Sequence, residues 1–185
     1  RTVIDGVAPP DMVLPASFSP DTQAAFDALL VACDADVACK AQYPGLRAQW
    51  AAVLAGLPRE VTVVHPVTGQ DESFILTRDM LAGLARLPLY VPALASALPF
   101  AVQQAAQGKF TPLLGLGSVM GGGQDSEMRM AMGMHFSVVC AEDMPRLDAA
   151  ADKPGADFGR GFADLYRDAC AAWPRGPRSA SAETG

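Results

Sequence analysis

His135-Phe136-Ser137-Val138-Val139-Cys140-Ala141-Glu142-Asp143-Met144-Pro145-Arg146 is the stretch on which the reading of this chain turns. A short apolar, β-branched run ends in a cysteine and two adjacent acids, and Pro145 closes it. Four to five apolar residues bounded by proline suit a buried strand better than a helix. Carboxylates at the end of such a strand stand where a sheet opens into a crevice, a common place for a ligand. The run therefore predicts a short strand ending at Cys140 and makes Glu142 and Asp143 the first candidates for a binding site.

The remaining composition narrows the class. A chain of 185 residues, half of them hydrophobic and 18% charged, has enough apolar material for a core and is not expected to be disordered. A net charge of −6 argues against a nucleic-acid partner, which calls for a basic face, and is compatible with cationic ligands such as peptide amino termini. Pro, Gly, Gln or a charge interrupts every apolar run, so no membrane span is expected. Arg1-Thr2-Val3-Ile4-Asp5 lacks an initiator Met and reads as strand interior. The expectation is a piece of a longer chain, with any targeting segment upstream.

Taken in order, Thr2-Val3-Ile4 predicts a strand and Val7-Ala8-Pro9-Pro10 a turn. Ser19-Pro20-Asp21 is a helix start, with Ala25, Phe26, Leu29, Leu30 and Cys33 at helical spacing. Helices follow over 37–42 and from Leu46 through Trp50, Val53, Leu54 and Leu57, stopped by Pro58. Glu60–His65 and Glu72–Leu76 predict a β-hairpin with a Gly-containing loop. Thr77 caps a helix carrying Met80, Leu81 and Leu84; Pro88 and Pro92 break it. A further helix over about 93–107 ends at Gly108. Met128, Met130, Met132 and Met134 read first as core filler and second as a pliable pocket wall. A last helix over about 156–172 carries Phe158, Phe162, Leu165, Tyr166 and Ala169. Residues 175–185 read as a linker.

Two segments resemble a known family. Ser137-Val138-Val139-Cys140-Ala141-Glu142-Asp143 is similar to a segment of bacterial α/β-hydrolases of the proline iminopeptidase and tripeptidyl aminopeptidase type. Arg1-Thr2-Val3-Ile4-Asp5-Gly6-Val7-Ala8-Pro9-Pro10 resembles the core strand after which that family inserts its cap domain. The resemblance implies a mostly α fold with a small β-hairpin: the cap, or lid, of such a hydrolase plus one or two core strands. It implies a core strand over 1–10, a helical cap over 11–134, a return segment and closing helix over 135–174, and the linker over 175–185.

Cysteine use leaves two readings: four buried thiols of a cytosolic protein, or two bridges in an exported one. Cys33 and Cys39 flank a break between two helices. Their spacing, followed by Tyr43-Pro44, resembles the family's pattern, which implies the pairs Cys33–Cys39 and Cys140–Cys170 and a periplasmic or secreted protein. No Cys-x-x-Cys occurs, and His65 and His135 lack metal-site spacing, so neither metal nor cofactor is expected.

The catalytic parts of a serine hydrolase are missing from these residues. No Gly-x-Ser-x-Gly is present; around Ser118 the glycine positions hold Leu116 and Met120, and around Ser137 they hold His135 and Val139. Gly121-Gly122-Gly123 reads as a loop, and both histidines read as structural. The resemblance places the nucleophile before these residues and the triad Asp and His after them. What it leaves here is recognition of a protonated substrate amine by cap-side acids, which carboxylates in a partly dry pocket perform well. Glu142 is the first candidate, Asp143 the second, and Glu127 with Asp125 the third. The competing reading for Glu142 and Asp143 is a turn cap or a pair with Arg146. Phe110, Met134 and Phe136 are candidate apolar walls, with core packing the first reading of each. The expected function is the substrate-recognition part of a serine hydrolase that removes residues or short peptides from peptide amino termini. Its partners would be a peptide with a free amino terminus and the remainder of the hydrolase chain. The alternatives are a non-catalytic helical binding module and the cap of an esterase-type hydrolase.

Overall fold

The computed structural model describes residues 2–3, 7, 9, 11–64, 68–120, 131–147 and 154–176. It is mostly helical, with one two-stranded antiparallel sheet among the described residues. The chain divides into two compact units. Unit 1 comprises Arg1–Asp21, Met130–Pro154 and Gly159–Gly185; unit 2 comprises Thr22–Arg129 and Gly155–Phe158. The boundary falls within the first helix, α1 (Leu14–Ala35).

Unit 2 is built on period-3.6 stripes that meet in one core. On α1, Phe26, Leu30 and Cys33 are buried. The helix starts at Leu14, ahead of the predicted Ser19 start, and Pro20 lies inside it. Proline in a helix interior forfeits one backbone bond, but the apolar stripe that follows outweighs that loss. Helix α2 (Val37–Gln42) is capped by Asp36, whose carboxylate accepts from the Cys39 amide at 2.7 Å. Helix α3 (Leu46–Ala55) buries Leu46, Trp50, Val53 and Leu54, four of the five positions its spacing predicts; it ends at Gly56, before Leu57 and Pro58. Phe26, Trp50 and Phe158 stack at the centre, with ring centroids 4.8–6.3 Å apart.

The hairpin pairs β1 (Arg59–Val64) with β2 (Asp71–Leu76), Val61 opposite Phe74. Val61 and Leu76 are buried on one face, while Val64 and Ile75 stay exposed on the other. This is the alternation of a half-buried ribbon. Thr77 caps α4 (Arg78–Arg86), its hydroxyl accepting from the Met80 amide at 3.3 Å. The predicted helix over 93–107 is instead two pieces, α5 (Pro92–Ala95) and α6 (Leu98–Ala106). Pro99 in the first turn of α6 has no N–H to continue the preceding helix, so the chain restarts there. Gly108, at φ +83°, turns the chain after α6. Helix α7 (Thr111–Met120) was not legible beforehand, because two glycines interrupt it. A Cβ on Gly117 would lie 2.3 Å from Leu84 Cδ2 and 3.0 Å from Leu84 Cα, so α7 and α4 approach closely where no side chain intervenes.

In unit 1 the stretch 132–142 forms a helix, α8 (Met132–Glu142), and the strand predicted to end at Cys140 is overturned. Burial explains why. His135 and Phe136 are half-buried, Ser137 and Val138 exposed, Val139 and Cys140 buried. That is a repeat of four, matching helix faces, whereas a strand would alternate singly. Among the described residues the only strands are β1 and β2. Thr2 and Val3 lie in no strand, and Val3 is fully in solvent; Ile4 lies outside the described residues. Among the described residues neither expected core strand is seen, and β1 and β2 pair with each other. Helix α9 (Gly161–Ala171) begins later than the predicted start near Ala156, and Phe158 belongs to the unit 2 core rather than to this helix. Its buried face is Ala163, Tyr166 and Cys170; Leu165 is exposed. Residues 177–185 of the expected linker lie outside the described residues.

Candidate functional site

The two candidate acids stand at the C-terminal end of α8, in unit 1. They do different things. Asp143 is 8% exposed. Its Oδ1 accepts from Arg146 Nη2 at 2.9 Å, and its carboxylate also accepts the backbone N–H of Leu14. Arg146 donates further to the Met12 carbonyl at 2.9 Å and to the Glu142 carbonyl at 3.1 Å. The pair thus holds the chain entering α1 and sets a carboxylate at that helix's positive end. Burial pushes the Asp143 carboxyl above its ordinary range, aided by the neighbouring Glu142. The hydrogen bond and charge of Arg146 and the Leu14 amide oppose the shift without cancelling it.

Glu142 is exposed, and among the described residues its carboxylate has no ionic partner. It is the candidate acid free to meet a ligand. Asp125 and Glu127 lie outside the described residues, as do His65, Met128, Met130 and the triglycine. Met134 stands on the same helix as Glu142 and is 70% exposed. Phe136 packs in an aromatic cluster, 5.4 Å from the Tyr166 ring and 5.4 Å from Trp173. Phe110 is 4% exposed in the unit 2 core, with Arg59 over its ring, and its place is packing.

The hydroxyls and the described histidine are already engaged. Ser118 donates to the Gly115 carbonyl and Ser137 to the Gly133 carbonyl, each at 2.8 Å. His135 Nε2 shares a 2.8 Å hydrogen bond with the Tyr166 hydroxyl. No described serine is set against a histidine, so no activated nucleophile is assembled among these residues. No cluster of three metal-ligating side chains occurs among the described residues, and no helix there is long and apolar enough to cross a membrane.

Both disulfides are present. Cys33–Cys39 closes the turn between α1 and α2, and Cys140–Cys170 ties α8 to α9.

Two arrangements carried no local signal in the sequence. One is the aromatic cluster of unit 1, where Phe18 meets Phe162 and Tyr166 edge-on at 5.7 and 5.8 Å. The other is a polar clamp in unit 2. Gln23 Nε2 and Arg47 Nη1 both donate to Asp157 Oδ2, at 3.0 and 3.1 Å, and Arg78 donates to the Ala156 carbonyl at 2.7 Å. These partners are far apart in the chain, so only folding joins them. Unit 2 also has an open cavity of about 230 Å³ beside Asp34, Lys40, Tyr43 and Arg47. Its charges are matched within the protein: Lys40 with Asp34 at 3.2 Å, Arg47 with Asp27 and Asp157.

Comparison with protein-family models, curated proteins and solved structures found no match to this chain.

Proposed function

We propose that this chain is the substrate-recognition portion of a serine α/β-hydrolase that cleaves residues or short peptides from peptide amino termini. The observation that carries the reading is an exposed carboxylate, Glu142, with no ionic partner among the described residues, at the end of a helix whose sequence resembles the corresponding family segment. A protonated amine is the natural counterpart of such a group. In this reading the nucleophilic serine and the triad Asp and His lie outside residues 1–185, and a serine acyl-enzyme is formed and then hydrolysed there. The pairs Cys33–Cys39 and Cys140–Cys170 support a periplasmic or secreted protein, because oxidising compartments preserve such bridges.

The test is turnover of aminoacyl-nitroanilides by the full-length protein. Hydrolysis of free-amine substrates, blocked by a serine-reactive phosphonate and absent for N-acetylated substrates, is the expected result. Turnover by residues 1–185 alone, or turnover indifferent to the phosphonate, would sink the assignment. A second reading, a non-catalytic helical binding module, draws on the self-contained core of unit 2. A full-length protein that binds peptides without cutting them would favour it.

A further inference from the structure

Three exposed residues of α8 lie on one line: Met134, Val138 and Glu142, each four apart. Met134 is 70% exposed and Val138 48%. From Met132 to Ala141 the helix carries no Asp, Glu, Lys or Arg. Exposed apolar side chains in a row, bordered by polar groups, mark a binding face. Here the inner side packs through Val139 and Cys140, while the outer side ends in the exposed Glu142 carboxylate. We infer that this stripe is a docking strip for the first three residues of an extended peptide. The ammonium sits at Glu142, an apolar first side chain over Val138, and an apolar third side chain over Met134. This rests on the amino-terminal peptide reading and adds to it a preference at two positions.

Spacing and charge select that occupant. Successive residues of the stripe are separated by about 6 Å along the helix axis. In an extended peptide, side chains on one face recur every second residue, about 6.6 Å apart. The two repeats stay in step over the short length concerned. At the strip's acidic end, the Glu142 charge and the negative pole of α8 both favour a cation. Arg146 pairs with the Asp143 carboxylate, so among these three described residues the group Glu142, Asp143 and Arg146 carries net −1. Methionine at the far end accommodates more than one apolar shape.

The test is methyl NMR on the whole chain, labelled at Met and Val, titrated with Leu-Ala-Leu-amide. The Met134 and Val138 methyl resonances should move together and saturate. N-acetylation of the peptide, or Glu142→Gln, should weaken binding about two- to fivefold, the measure of one exposed ion pair. Replacing the third Leu by Ala should remove the Met134 response and keep that of Val138. No shift at either methyl, or an equal response to the acetylated peptide, overturns the inference. The two ideas fail separately. A full-length protein that cuts no peptide removes the catalytic reading and leaves this result standing. An active enzyme whose Glu142→Gln variant binds the probe unchanged removes the docking strip alone.

Discussion

In unit 2 an arginine, Arg47, meets two carboxylates at the surface; in unit 1 an arginine, Arg146, meets the buried carboxylate of Asp143. Around Arg47 lies a broad apolar core in which Phe26, Trp50, Leu76, Leu81, Leu98, Val102 and Leu113 are fully buried. Around Arg146 the buried apolar set among the described residues is small: Val13, Pro15, Val139, Leu147, Ala163 and Tyr166, with the Cys140–Cys170 bridge. A large core leaves its polar clamps as trim. A small one makes each staple and buried pair count, because little apolar area offsets chain entropy. The lesson is that similar contacts are worth different amounts in the two regions.

The sharpest way to break this comparison is to open the disulfides. Cys140–Cys170 spans 30 residues and Cys33–Cys39 spans 6. Loop-closure entropy then assigns about 4 kcal/mol to the first and about 2 kcal/mol to the second. Cys140→Ser with Cys170→Ser should release the α9 amides to fast hydrogen exchange, whereas Cys33→Ser with Cys39→Ser should leave α3 protected. Equal exposure in both variants would refute the contrast.

Next come the arginines. Arg146→Ala strands a buried carboxylate and should cost about 3 kcal/mol in denaturant unfolding. Arg47→Ala removes surface pairs and should cost about 1 kcal/mol or less. Equal losses would erase the distinction between covered and open pairs.

Packing in unit 2 gives a third comparison. Gly117→Ala places a methyl against Leu84 and should destabilise by about 1–3 kcal/mol. Gly115→Ala, with open space around it, should stabilise α7 by up to about 1 kcal/mol, read from thermal melting. Loss of stability in both would mean that α7 tolerates no side chain at either place for a reason other than contact.

The smallest effect concerns pH. Burial works against the Asp27 charge, but hydrogen bonds from Arg47 and Gln23 and the Arg47 charge outweigh it and hold the carboxyl below its ordinary range. Asp27 therefore stabilises the fold above that range, and this is lost on acidification. Asp143 is shifted upward, so its contribution is present at low pH and is lost as pH rises through its raised pKa. Between about pH 3 and about pH 6, where carboxyls titrate, the stability difference between the native protein and Asp27→Asn should grow, and that for Asp143→Asn should shrink. Parallel trends would remove the proposed difference in environment.

Much of unit 2 was legible before its structure, and the reason lies in local rules. The hairpin followed from alternation around a glycine loop, α3 from the spacing of Leu46, Trp50, Val53 and Leu54, and the start of α4 from Thr77. Each is decided by neighbours a few residues away. The candidate site was legible only as two acids at the end of an apolar run. Their separate roles follow from Arg146, Met12 and Leu14, and the latter two lie too far along the chain for any local pattern to pair them.

By itself the sequence determined the hairpin, the start of α4 and the apolar stripes of the first and third helices, because turn chemistry and side-chain periodicity act over single turns and strand pairs. Tertiary structure alone decided that 132–142 is a helix, that Phe158 serves the unit 2 core, and that Asp143 is buried while Glu142 is not. A short apolar run satisfies helix and strand almost equally, so its conformation is settled by what it packs against: here Tyr166 and Cys170 of α9, not a neighbouring strand.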